Sequence, residues 1–264
     1  MSPEVTAAVI AASVSFLTLI GTLAAQYFGR RATSRDTQNA LAEQGKQLDR
    51  TLAEQRTRTL NERFATAAGQ LGSDKPAVRL AGVYAMAGLA DDWEENRQTC
   101  VDVLCGYLRM PYEPDPGQDA PEPERLVFQA IREVRHTVIR VITAHLQKVA
   151  TVAWQGLNFD FTGVVFDGGD FGLAQFSGGK VDFYRAQFSG GAVDFGTAEF
   201  SGGTVDFGGA QFSGGTVRFG TAEFSGGEVD FSRAGVWSYP PEFPWTDTPP
   251  SGVKLQRKED QSQA

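Results

Sequence analysis

Between Phe161 and Phe231 the chain repeats itself, and this limits the folds open to it more than any other feature. The segment Ala174-Gln175-Phe176-Ser177-Gly178-Gly179-Lys180-Val181-Asp182-Phe183 returns at a displacement of twelve residues, and the last copy is Ala222 to Phe231. Upstream the spacing is five, through Phe161, Phe166, Phe171 and Phe176. Fixed self-similarity of this kind is the mark of a solenoid. From Ala174 to Phe231 each Phe follows an Ala or Val by two positions, with an acid or amide between them except at Arg218. In extended chain neighbours alternate sides, so Ala/Val and Phe point inward and the polar residue meets water. Glycine stands where the chain must turn without a Cβ penalty. A helix would need recurrence near 3.6, which five, seven and twelve do not supply.

Most of the 19 phenylalanines fall in this stretch. Burying each contributes roughly 1.5–3 kcal/mol, which over the stack offsets the ordering cost of so glycine-rich a segment. Exposed rings could stack on nucleobases instead, but they would not come paired with an inward Ala or Val at every turn. A net charge of −8 also argues against nucleic acid, which calls for a basic face.

The segments Val164-Val165-Phe166-Asp167-Gly168, Gly169-Asp170-Phe171-Gly172-Leu173 and Ala174-Gln175-Phe176-Ser177-Gly178 resemble the pentapeptide-repeat family. That resemblance covers about residues 157–236 and implies a right-handed quadrilateral β-helix, one pentapeptide per side, with the central residues stacked inside. This sequence departs from the family pattern by two inserted residues from Phe176 on, giving sides of five and seven alternately. One coil would then be two twelve-residue units with two opposite corners swollen by Gly-Gly; a three-sided coil is the alternative.

Residues 5–27 include an uncharged run, Val5 to Ala25, long enough for a membrane-spanning helix. A cleavable signal peptide is the competing reading, although no Lys or Arg precedes the run, and a buried helix is another. Arg30, Arg31 and Arg35 follow directly, which for a single span puts the N-terminus outside and the bulk of the chain in the cytoplasm. Residues 30–63 read as a helical stalk, either solvated or paired with a second copy through a thin seam of Leu41, Leu48, Leu52 and Leu60. Residues 64–111 read as a small helical domain. Leu71-Gly72 closes one helix, Ser73 to Pro76 opens the next with a capping side chain, and Thr99 to Leu108 forms a third. The run Arg63-Phe64…Gln70-Leu71-Gly72-Ser73…Val78-Arg79-Leu80…Tyr84-Ala85-Met86 resembles a helical segment found ahead of pentapeptide repeats in bacterial, especially actinobacterial, membrane-anchored proteins. No chemistry is implied by that likeness.

Cys100 and Cys105 point about 140° apart on a helix and read as buried thiols. Residues 112–124 form an acidic Pro-rich linker. Residues 125–148 follow as an amphipathic helix with Val127, Ile131, Val134, Val138, Val141, Ile142 and His145 on one face and Arg132, Arg135 and Arg140 on the other. Such a helix would cover the open first coil of a β-helix spanning 152–236, near Trp154. Residues 237–264 would cover the other end, with a disordered tail from Leu255.

The chain thus reads as α + β-solenoid, and its catalytic motifs are missing. His136 and His145 lie on opposite faces of one helix and cannot share a metal. The Ser-Gly-Gly corners have no histidine base, and Gly179-Lys180 lacks P-loop spacing. Gly-Gly followed by Asp falls short of the nonapeptide calcium pattern. No catalytic, cofactor or metal residues are assigned. The expected role is a membrane-tethered interaction module presenting Asp182, Asp194, Asp206, Asp230, Glu199 and Glu223 to a cytoplasmic protein. The alternative, implied by the resemblance, is an acidic DNA mimic acting on a topoisomerase, although Arg218 breaks the Asp series.

Overall fold

Four columns of stacked rings run along the axis of the repeat region. The computed structural model describes residues 3–113 and 115–256, with the side chains of residues 3–14 and 28–38 outside the description. Phe161, Phe183, Phe207 and Phe231 form the first column, with centroids 5.1, 4.7 and 4.3 Å apart. Phe166, Phe188 and Phe212 form the second, topped edge-on by Trp237. Phe171, Phe195, Phe219 and Phe243 make the third. Phe176, Phe200 and Phe224 make the fourth, capped edge-on by Trp245. These spacings match the distance between parallel strands, so ring stacking and backbone pairing share one repeat. The outcome is a β-solenoid of about four turns.

Short parallel strands make its walls. Strands β1 (Phe159–Asp160), β4 (Gln175–Asp182), β7 (Glu199–Asp206), β10 (Glu223–Asp230) and β11 (Val253–Lys254) pair in that order. Strands β2 (Val165–Phe166), β5 (Gln187–Phe188) and β8 (Gln211–Phe212) form a second sheet. Strands β3 (Gly169–Asp170), β6 (Ala192–Asp194) and β9 (Thr216–Arg218) form a third. Val181 pairs with Val205, and Val205 with Val229, so one turn takes two of the twelve-residue units. The first turn is shorter, since Phe159 pairs with Val181, and this is where the five-residue spacing lies.

Two kinds of corner alternate. At the Gly-Gly corners the register shifts between Phe176 and Lys180. Gly203 has φ +70°, and a Cβ there would lie 2.4 Å from the Gly179 carbonyl of the turn below, so no side chain fits. The other corners are tight turns in which Ala N–H donates to the Phe carbonyl three residues back, as from Ala198 to Phe195 at 3.0 Å.

The chain divides into two units, residues 1–59 and 60–264. Helix α1 (Pro3–Leu71) carries the first and gives its last turns to the second. Among the described residues no helix is long and apolar enough to cross a membrane. The expected span over 5–27 is therefore unsupported, and the side chains of its residues 5–14 lie outside the description. Leu41, Leu48 and Leu52 of the stalk are all more than half exposed, whereas Leu60, the fourth residue of the expected seam, is buried in the core of the second unit.

In the second unit α1 meets helix α2 (Pro76–Asp92) at Gly82, where a Cβ would stand 2.7 Å from the Leu71 amide. The capping side chain expected for α2 is absent: its N-cap is Lys75, with no side-chain bond. Ser73 Oγ instead accepts the Lys75 N–H at 3.2 Å. Helix α3 (Arg97–Arg109) buries Cys100 and Cys105, both free thiols. Burial pushes their pKa values up to about 11 and about 12, so both stay protonated at neutral pH.

Helix α4 (Glu122–Leu146) lies over the first turn. Ile139 packs on Gly169, and Thr143 Oγ1 donates to the Asp170 carbonyl at 2.8 Å. Its arginines do not all sit on a polar side as expected. Arg135 is 4% exposed and donates to the carbonyls of Leu108 and Val165, each at 2.8 Å. A helix end and a solenoid edge both carry unmatched carbonyls, and one guanidinium satisfies both. At the far end Leu255 packs on the core and Gln256 Nε2 donates to the Ala234 carbonyl, so these two residues are docked rather than disordered. Residues 257–264 lie outside the described residues.

Candidate functional site

The six carboxylates expected to form one outward surface do different work, and Asp194, on β6, stands in a different sheet from the other five. Asp182, Asp194, Asp206 and Asp230 each precede a corner Phe, and the Oδ1 of each accepts the N–H two residues on. These contacts, 2.6–2.9 Å long, are Asx turns. Asp160 and Asp170 do the same at their corners. The period-12 aspartates are thus corner clamps first, with at most Oδ2 left for an outside group.

On the wall of β1, β4, β7 and β10 much of that remainder is neutralised. Lys180 Nζ stands 2.5 Å from Asp182 Oδ2, Arg233 lies 3.5 Å from Asp206, and Lys254 holds Glu228 at 2.6 Å. Arg109 pairs with Asp160. Burial works to raise the Asp230 pKa, but bonds from Ser232 and the charges of Lys254 and Arg233 bring it below the usual carboxylate range.

Glu199 and Glu223 open β7 and β10, across the Gly-Gly bend from Asp206 and Asp230 and one residue before Phe200 and Phe224 of the fourth column. They line an open groove of about 450 Å³ with Thr197, Thr221, Leu173 and Val149. Gln175 Nε2 donates to Glu199 at 2.9 Å, extending one polar row along the axis. Val149 and Leu173 are 86% and 60% exposed at one end of the groove. The lining thus sets outward acids beside apolar side chains, with Lys148 and Gln147 completing it.

A second constellation joins helices to solenoid and was missed in the sequence reading. Asp167 accepts from the Tyr112 hydroxyl at 2.7 Å and Arg132 Nε at 2.9 Å, while its other oxygen meets His136 Nε2 at 2.9 Å. Burial alone would raise its pKa. The bonds from His136 and Tyr112, with the charges of His136 and Arg132, outweigh that and bring it to about 2. The signal was present: Asp167 follows Phe166 where later copies have Ser after Phe. His145 is used separately. Its Nδ1 donates to the Val141 carbonyl at 2.7 Å, its Nε2 lies 3.2 Å from Asp91, and its ring stacks on Trp154 at 4.0 Å. Among the described residues no group of three His, Cys, Asp or Glu is placed to hold a metal ion.

No family model, curated protein or solved structure matches the chain. Its regularly spaced phenylalanines and β-solenoid are in keeping with a repeat protein of the pentapeptide-repeat type. A solenoid of this kind fits a protein-interaction module.

Proposed function

We propose that the chain is a non-enzymatic scaffold: a right-handed, four-sided β-helix of the pentapeptide-repeat type that offers its walls to a cytoplasmic protein. One observation carries this reading. The rings inside and the Asx bonds at the corners hold the outward side chains on a lattice of about 4.8 Å, and such fixed spacing favours recognition over catalysis. Glu199 and Glu223 are the wall residues best placed to meet a partner, because neither clamps a corner. The uncharged run Val5 to Ala25, followed by Arg30, Arg31 and Arg35, supports a tether with the bulk of the chain on the cytoplasmic side. Pairing through Leu41, Leu48 and Leu52 would make the tethered form a homo-oligomer.

Crosslinking in intact cells tests the wall reading. A photo-crosslinker at Thr221 should capture a protein that the Glu199→Gln/Glu223→Gln chain captures several-fold less; equal capture would sink the assignment. Carbonate extraction tests the tether, and release of the chain into the soluble fraction would remove it. The DNA-mimic alternative has less support, because Lys180, Arg233 and Arg109 pair with the aspartates of the wall it would use. Inhibition of gyrase supercoiling by the purified chain would restore it.

A further inference from the structure

The first half of α4 carries an apolar face that the rest of the chain leaves uncovered. Burial in α4 begins at Val134. Upstream of it Leu126 and Val127 are 56% and 59% exposed, and Phe128 and Ile131 are half-buried. None of these four belongs to the core cluster or packs against it. Pro111, Tyr112 and Pro116 supply the facing wall of a groove of about 630 Å³, floored by Pro123, Val127, Phe128 and Ile131 of α4. The wall is held in place at Tyr112. Its ring stacks on Phe128 at 5.7 Å, the Arg135 guanidinium covers it at 4.2 Å, and its hydroxyl donates to Asp167. The groove therefore stays open instead of closing on itself.

Its rim carries one sign. Glu113, Asp115 and Glu124 line it, with Asp119 in the connecting stretch and Glu122 at the start of α4 close by in the chain. Among the described residues none of these five carboxylates enters an ion pair, whereas Asp160, Asp182, Asp206 and Glu228 on the solenoid all do. Arg125 is adjacent, its Nε buried without a hydrogen-bond partner. Arg132 is turned to Asp167, and Arg135 to the Leu108 and Val165 carbonyls.

We propose that this groove docks an amphipathic helical segment of a partner protein. The partner's apolar side chains sit on Val127, Phe128 and Ile131, and its lysines or arginines face Glu113, Asp115 and Glu124. The volume suits the few anchors that a helix presents at i, i+3/i+4 and i+7. An unpaired acidic rim selects cations and repels an anionic lipid surface. It equally opposes a second copy of this chain, which would bring the same acids and a net charge of −8. The site lies on the helical part of the second unit, so it stands or falls apart from the solenoid walls.

The test uses the full chain, kept in solution with a neutral amphipol, and two labelled 18-residue peptides. One is an amphipathic Leu/Lys helix and the other has Glu in place of every Lys. Fluorescence anisotropy should give the Lys peptide micromolar affinity, about tenfold or more above the Glu peptide. Leu126→Ser/Val127→Ser adds no charge to an exposed face and should weaken the Lys peptide about tenfold. Glu113→Gln/Asp115→Asn/Glu124→Gln should weaken it several-fold at low salt, with the difference closing as salt rises. Glu199→Gln/Glu223→Gln should leave it unchanged. Affinity insensitive to Leu126→Ser/Val127→Ser would overturn the proposal. So would binding to anionic vesicles, or a dimer, that this same variant abolishes.

Discussion

Leu173 and Arg185 hold left-handed backbone, at φ 63° and 54°; the corner of Arg185 carries Gly163 and Gly209 in the neighbouring turns, while that of Leu173 carries Thr197 and Thr221. An L side chain there costs about 1–2 kcal/mol. Leu173 is mostly exposed and gives up little burial, so Leu173→Gly is expected to raise stability by roughly 0.5–1 kcal/mol in urea unfolding despite the freer unfolded chain. Asp206 makes the opposite case. Asp206→Asn keeps an acceptor for the Gly208 N–H and should cost little, whereas Asp206→Ala should cost about 1 kcal/mol by the same measurement. These residues also mark what the sequence could and could not say. The period-12 aspartates were legible as outward-facing, because alternation fixes the side. That one oxygen of each is committed to its own turn was not, because an Asx bond depends on the φ/ψ of the corner and leaves no trace in spacing.

At the scale of elements, α4 was legible through its helical recurrence, and its seat over the first turn follows from the need to cover a strand edge. Its arginines were misread because a pattern of polar and apolar letters cannot foresee that carbonyls from Leu108 and Val165 converge on Arg135. The Asp167 cluster is the second fixing point of this element, and it makes a pH prediction. The Asp167 carboxyl is held at about 2, below its ordinary 3.8, by His136, Tyr112 and Arg132 acting against burial. Its contribution, roughly 2 kcal/mol, is complete above about pH 4–5 and is lost as pH falls toward 2. Thermal unfolding from pH 6 to pH 2 should show this loss. The Asp167→Asn chain should be less stable at pH 6 and should lose that part of the acid dependence; an unaltered pH profile would count against the cluster.

For the whole molecule, one length scale organises the solenoid. Strands about 4.8 Å apart bring each phenylalanine onto the ring of the turn below, and one turn takes two of the twelve-residue units. Twelve-residue periodicity made the solenoid and its inward rings legible. The sharing of one core by helices and solenoid, from Leu60 to Val253, was not, because contacts between elements follow no repeat. Removing a central ring should be felt throughout: Phe195→Ala, which opens a cavity beneath Phe219 and above Phe171, is expected to cost about 3–5 kcal/mol. The most direct measurement is solvent access to the rings themselves, by fluorine NMR of the chain labelled with fluorophenylalanine and titrated with a soluble gadolinium chelate. Resonances assigned by substitution to Phe183, Phe188, Phe195 and Phe207 should keep their line widths while the unfolded chain broadens. Broadening of those four in the folded chain would contradict a core built from stacked rings.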